Sequence, residues 1–333
     1  MAPIPGAQPG PPGGGRALSL VAFGGGHGLF ASLSALRILL EEVVLDELTA
    51  IVTVADNGGS SGRLRGEFGV LPPGDLRMAL AALCSHDDWG VTWANVLQHR
   101  FNGDGEMNGH NLGNLLIVGL WEQLGDHVAA LDWVGRLLGA HGRVLPMALV
   151  PMDITAEVRG LDPSAPDRLT TVRGQVEVAT TDGTIDSIAL EPADPPAAPE
   201  ALEAIASADW VVLGPGSWFS SVMPHLMVPA LRQALVATGA RVLVVLNLAE
   251  QAGETQGFGP ADHLGVLCAH APDVTIDTVL ADAEMEGLDA LREMTDAIGA
   301  RLVIDRIAMA DGSPRHDPVL LAAAYQRVLT SEY

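Results

Sequence analysis

Leu18-Ser-Leu-Val-Ala-Phe-Gly-Gly-Gly-His-Gly28 is an apolar run ending in a cluster of glycines, and it decides the fold. A second stretch, Leu48-Thr-Ala-Ile-Val-Thr-Val-Ala-Asp-Asn-Gly-Gly-Ser-Ser-Gly-Arg-Leu-Arg65, repeats the form. Each reads as a buried strand that stops in a loop whose backbone N–H groups can approach a ligand without obstruction from a Cβ. A glycine loop opening into a helix is a ready anion site, because the unpaired N–H groups and the helix dipole point at the same spot. Two such loops on successive strands predict a phosphate-bearing ligand held across the end of a parallel sheet.

Working outward, apolar runs alternate with helical periodicity, which predicts a Rossmann-like, doubly wound, mostly parallel α/β sheet. Helical spacing covers residues 29–40. Leu71-Pro-Pro-Gly-Asp75 reads as a turn with Asp75 capping a helix that runs through Leu83. Residues 93–101 also read as helical, and Gly109-His-Asn-Leu-Gly-Asn114 opens an apolar helix toward Leu124. From about residue 144 to 190 the pattern becomes short and alternating, at 154–158, 171–178 and 185–188, and predicts a small antiparallel β insertion. A proline-rich connector, 191–199, follows. Strands are then expected at 210–213, 241–246, 274–280 and 301–304, with a last helix over 318–329. Residues 1–15 read as a disordered Pro/Gly/Ala tail, and residues 16–333 as one domain.

The 333 residues are 48% hydrophobic, ample for a large core. No apolar run approaches the ~20 residues that span a bilayer, and the N-terminus lacks the regions of a signal peptide. Cys84 and Cys268 lack CxxC spacing, so neither a zinc site nor a disulfide framework is expected, and the cytoplasm is the default location. A net charge of −23 argues against nucleic-acid binding. All 18 basic residues are arginine, which rules out a Walker lysine or a Schiff-base lysine. Bound phosphate must therefore rest on backbone amides, arginine or a metal.

The candidate ligand-binding residues sit in polar loops at the ends of strands and helices. In the first loop they are Gly25, Gly26, His27 and Gly28, with His27 either touching ligand or simply exposed. In the second they are Asp56, Asn57, Ser60, Ser61 and Arg63, Arg65 being the alternative arginine. Asp56 serves a ribose or metal, or makes an Asx-turn. Asp75 follows. His110 and Asn114, four apart, share a helix face or are buried for packing. Gly214, Gly216 and Ser217 form a third strand-to-loop transition, and Asn247, Glu254 and Thr255 complete the set.

Together these motifs, with Gln98-His-Arg-Phe101 and Gly253-Glu-Thr-Gln-Gly257, resemble the bacterial gluconeogenesis-factor family, the YvcK-like group within the CofD-like fold. The resemblance spans residues 18 to about 280. It implies a cytoplasmic protein that binds UDP-sugars, typically UDP-N-acetylglucosamine, and supports gluconeogenic growth, cell shape and cell-wall synthesis. The wider fold includes 2-phospho-L-lactate transferases, which act on a deazaflavin. The leading expectation is thus a non-catalytic or weakly catalytic ligand-binding regulator. A Mg²⁺-dependent transferase with Asp56 as its catalytic and metal-binding residue is the alternative, and a nicotinamide dehydrogenase is disfavoured by the imperfect fingerprint. On the resemblance the partner is a cell-wall regulatory protein; a homodimer is left open. Departures from the family pattern include His27 in place of threonine and Asn57 in place of a second aspartate, the latter weakening a divalent-cation site.

Overall fold

The computed structural model describes residues 18–251 and 254–331. The tail expected over 1–15, residues 16 and 17, and Gly253 of the 253–257 motif lie outside the described residues.

Strand β1 (Leu18–Gly24) is an interior strand of a seven-stranded sheet, flanked by β2 (Leu45–Val52) and β7 (Trp210–Leu213). Beyond β2 lies β3 (Arg143–Pro146); beyond β7 lie β8 (Arg241–Val245), β9 (Thr278–Asp282) and β10 (Arg301–Asp305). Every neighbouring pair is parallel. The central strands β7 and β8 and the carboxyl halves of β1 and β2 are apolar and buried because helices cover both faces. The chain builds outward from β1 to β3 and then returns to the other side of β1 at β7. That reversal is a topological switch point, the place where open α/β sheets leave a crevice at the carboxyl ends of their strands.

Helix α1 (Gly26–Glu41) leaves the first glycine loop and buries Leu29, Leu33 and Leu36. It packs against α3 (Gly74–Ala82) and the C-terminal α13 (Pro318–Thr330), where the Tyr325 hydroxyl meets Ser32 Oγ at 2.7 Å. Helix α2 (Gly59–Phe68) leaves the second loop. Then come α4 (Asp88–Gln98), α5 (Leu112–Leu124) and α6 (His127–Leu138).

The small antiparallel sheet orders as β5 (Thr170–Arg173), β4 (Asp153–Arg159) and β6 (Thr184–Glu191). It begins at Asp153 and not near 144, since β3 belongs to the main sheet. The strand expected over 171–178 breaks at Gly174, whose φ of +109° ends it; residues Gln175–Ala179 form a one-turn helix, α7, instead. Helix α8 (Pro199–Ser207) returns the chain to β7. A π-helical turn (Trp218–Val222), α9 (Met223–Met227) and α10 (Pro229–Ala237) lead to β8; α11 (Pro260–His270) and α12 (Leu288–Ile298) complete the cover. β9 starts four residues later than its apolar run, because the Asp277 carboxylate takes the Val242 N–H at 2.7 Å in place of a strand partner. No helix among the described residues is long and apolar enough to cross a membrane.

Candidate functional site at the switch point

Three strand ends are stitched together at the switch point. Thr53 N donates to Gly24 O at 3.0 Å and Gly214 N to Phe23 O at 3.1 Å. A Cβ on Gly28 would fall on the Pro215 carbonyl oxygen, so α1 and the 214–217 loop are in backbone contact. Asn247, at the end of β8, clamps that loop: its Oδ1 accepts from Gly216 N and its Nδ2 donates to Gly216 O, both at 2.8 Å. Gly216 sits at φ +141°, a conformation that glycine tolerates.

Two clefts open on this junction and share His27, Gly28, Gly216 and Gln251. One, about 520 Å³ and mostly apolar, lies between α1, the end of β8 and the segment before α13, with Phe30, Asn247 and His316 in its wall. The other, about 450 Å³, is lined by Gly25, Gly26, Asp56, Asp75 and Ser217, and roofed by Gln175, Val176 and Thr180 around α7. A larger depression, about 690 Å³, opens at the opposite ends of the strands beside Asp46, Glu47, Glu200 and Glu203. Arg143 lines it too but is paired with Asp132, so carboxylates outnumber free cations there.

The second loop is held from within. Gly58 N donates to Asp56 Oδ1 at 2.8 Å, so the Asx-turn forms, while the same carboxylate lines the polar cleft. Asp75 does not cap α3: Pro73 occupies that position without a side-chain cap, and Asp75 lies inside the first turn. Its carboxylate accepts from Gly26 N instead. A Cβ on Gly25 would come within 2.5 Å of Asp75 Oδ2. Burial, then the neighbouring Asp56 charge, raises the Asp75 carboxyl to about 7. Burial also raises Asp56, against hydrogen bonds from Gly58 and Ser61. The second carboxylate beside Asp56 is thus Asp75 and not residue 57. Asn57 turns away, its Nδ2 donating to Glu177 Oε2 at 2.8 Å and its Oδ1 accepting from Val176 N at 3.1 Å, which ties the loop to the α7 roof.

Several expected ligand contacts hold the scaffold. Ser60 Oγ meets His110 Nδ1 at 3.1 Å and accepts from Asn111 N at 3.2 Å and Asn114 Nδ2 at 3.1 Å. His110 precedes α5, whose N-cap is Asn111, so His110 and Asn114 meet through Ser60 and not along one helix face. Arg63 donates to the carbonyls of Glu106 and Asn108, and Arg65 pairs with Asp153 at 2.5 Å; neither lines the clefts. Glu254 is buried, accepts from Phe219 N at 3.0 Å and Ser220 Oγ at 2.5 Å, and is raised by that burial. Ser217 also hydrogen-bonds it. Thr255 Oγ1 accepts from Gln251 N at 2.9 Å. Gly214 packs under the loop, 3.1 Å from the Phe23 oxygen at its Cβ position.

Among the described residues no three His, Cys, Asp or Glu side chains are grouped to hold a metal. Asp56 and Asp75 supply two carboxylates, a set that fits Mg²⁺ only when a ligand adds phosphate oxygens. The α7 roof, Gln251, Phe30 and His316 escaped the sequence reading, since none carries a loop signature.

The family model described as 2-phospho-L-lactate transferase CofD matches residues 20–311. The gluconeogenesis factor of Bacillus subtilis is 35% identical over 270 residues, covering 81% of this chain and 80% of that one. A protein of Mycobacterium tuberculosis given the same name provisionally is 52% identical over 313 residues, 93% of this chain and 90% of its own. The crystal structure of a UPF0052-family protein from Bacillus halodurans superposes with a TM-score of 0.81 at 32% identity, covering 93% of this chain and 99% of that one. By model, length and fold alike, the chain belongs to the CofD family, on the branch of the gluconeogenesis factors.

Proposed function

We propose that the chain is a cytoplasmic UDP-sugar-binding regulator of carbon metabolism, cell shape and cell-wall synthesis, with UDP-N-acetylglucosamine as its ligand. The observation that carries this reading is the pair of joined clefts at the β1/β7 switch point. The wider cleft suits a nucleoside, the one with Asp56, Asp75 and Ser217 in its lining a sugar, and the glycine-loop amides between them suit the phosphates. No lysine competes for that role. The names of the relatives support the metabolic part of the proposal.

The test is a thermal-shift panel of UDP-N-acetylglucosamine, GDP, a deazaflavin and NAD. At about 100 times its dissociation constant, UDP-N-acetylglucosamine should stabilise by roughly 2.7 kcal/mol. Asn247→Ala, which unclamps Gly216, should weaken binding at least tenfold. Stabilisation by NAD and by no UDP-sugar would overturn the reading. One observation favours a second reading, a Mg²⁺-dependent 2-phospho-L-lactate-type transferase: the Asp56–Asp75 pair at the glycine loop. Turnover on a deazaflavin acceptor, lost in Asp56→Ala, would establish it.

A further inference from the structure

A third cleft, about 330 Å³, also reaches His27, and its wall includes Arg77, Arg100, Gln98 and Asn111. Arg77 is 6% exposed, yet it has no carboxylate ion pair among the described residues. Its Nε donates to Asn114 Oδ1 at 2.9 Å and its Nη1 to Gln98 Oε1. Both acceptors are neutral amides. Nη2 has no protein acceptor among the described residues and is not one of their buried unpartnered atoms. Its charge is balanced only at longer range, by the Asp75 and Asp56 carboxylates, neither in ion-pair contact with it, so its Nη2 edge is open to an anion in the cleft.

The site is built to hold that group in place. A Cβ on Gly113, at the start of α5, would come within 2.9 Å of Arg77 Cδ, so α5 presses on the arginine stem. Arg100 follows α4, and its Nη1 donates to the Gly109 carbonyl at 2.6 Å, leaving its other N–H groups without a protein acceptor among the described residues. The two arginines are close enough to repel: Arg77 falls to about 10, chiefly through burial and then through Arg100. The Asp75 and Asp56 charges offset Arg77 in part, and two guanidiniums still face one small cleft in a chain of net charge −23.

We propose that this cleft binds the phosphate group of a small phosphorylated metabolite, at a subsite that adjoins the glycine-loop clefts through His27. Phosphate suits it better than carboxylate. The donors come from three elements (Arg77 on α3, Arg100 after α4, His27 on α1) and so approach from different directions, which matches a tetrahedral anion with several acceptor oxygens. A planar carboxylate matches a single fork. A phosphate dianion also offsets both guanidiniums at once. The proposal does not rest on UDP-sugar binding.

Inorganic phosphate is the probe, titrated against the full chain at constant ionic strength with chelator present and read by thermal shift. Saturable stabilisation is expected. Arg100→Gln, at an exposed position, should raise the half-saturating phosphate concentration at least tenfold, and Arg100→Lys should restore part of it. Arg136→Gln, on α6 over the Trp133 ring, should leave it unchanged. A half-saturating concentration that is the same in Arg100→Gln and wild type would overturn the proposal, as would acetate saturating at lower concentration than phosphate. Because the probe carries no nucleotide, its failure leaves the UDP-sugar panel to be judged independently.

Discussion

At the scale of single residues, Asp75 carries the most information. Its carboxyl faces the polar cleft with Asp56 beside it, so ionising it at neutral pH works against both burial and a like charge. Its value in the fold, about 7, lies above the ordinary 3.8. The stability it contributes is therefore complete below about pH 4 and is lost as pH rises through 7. Asp75→Asn keeps an acceptor for Gly26 N and removes the charge. It should stabilise the protein at pH 8 by about 1–3 kcal/mol, a range reduced because the carboxyl is partly open to the cleft. It should also abolish any Mg²⁺ dependence of nucleotide binding. Denaturation midpoints at pH 5 and pH 8 check the first expectation; a variant less stable than wild type at pH 8 would contradict it. Asp75 was legible as a site candidate, and only its reading as the helix cap fails, since a capping residue and a site carboxylate look alike after Pro-Gly. Asn57 misled for a related reason: adjacency in sequence says nothing about which neighbour faces the ligand, and here the side chain turns to α7.

At the scale of elements, the fold was legible wherever local pattern and tertiary role agreed. Strands β1, β7 and β8 and helices α1, α5 and α13 follow their apolar periodicity closely. The exceptions trace to single side chains or backbone angles: Gly174 converts a strand into α7, and Asp277 delays β9. The α7 roof is the larger loss, because a five-residue helix carries too little periodicity to be read. The contact between α1 and the 214–217 loop gives a sharper element-level expectation. Gly28→Ala places a methyl against the Pro215 carbonyl and must push α1 away from the loop. It should cost about 1–3 kcal/mol, as overpacking does, and weaken UDP-N-acetylglucosamine binding more than the lost stability alone explains. Calorimetric affinity measured well below the melting temperature separates the two effects. Unchanged affinity in a folded Gly28→Ala variant would show that the loop contact is irrelevant to the ligand.

At the scale of the whole molecule, two buried histidines oppose Asp75. His225, beneath the site, stacks on Phe23 and its Nε2 lies 2.9 Å from Ile51 O; burial pushes it to about 4. His316, in the apolar cleft wall, is likewise pushed down to about 4. Both fold neutral, so stability is full above pH 6.5 and falls as pH drops from there toward 4, by up to about 3 kcal/mol for each. In wild type the Asp75 contribution grows over part of the same range and masks the fall. Asp75→Asn should make the acid-side loss steeper, which pH-dependent melting would reveal.

The same whole-molecule view bears on where the proposed ligand would sit. The sheet order β10-β9-β8-β7-β1-β2-β3 makes one switch point, and the two glycine loops legible in the sequence converge on it. A wider depression lies at the other end of the strands, beside Asp46, Glu47, Glu200 and Glu203. Hydrogen–deuterium exchange with and without saturating UDP-N-acetylglucosamine decides between them directly. Slowed exchange at residues 24–29 and 214–217, with residues 45–49 and 200–208 unchanged, is the predicted result; protection confined to 45–49 and 200–208 would contradict the account.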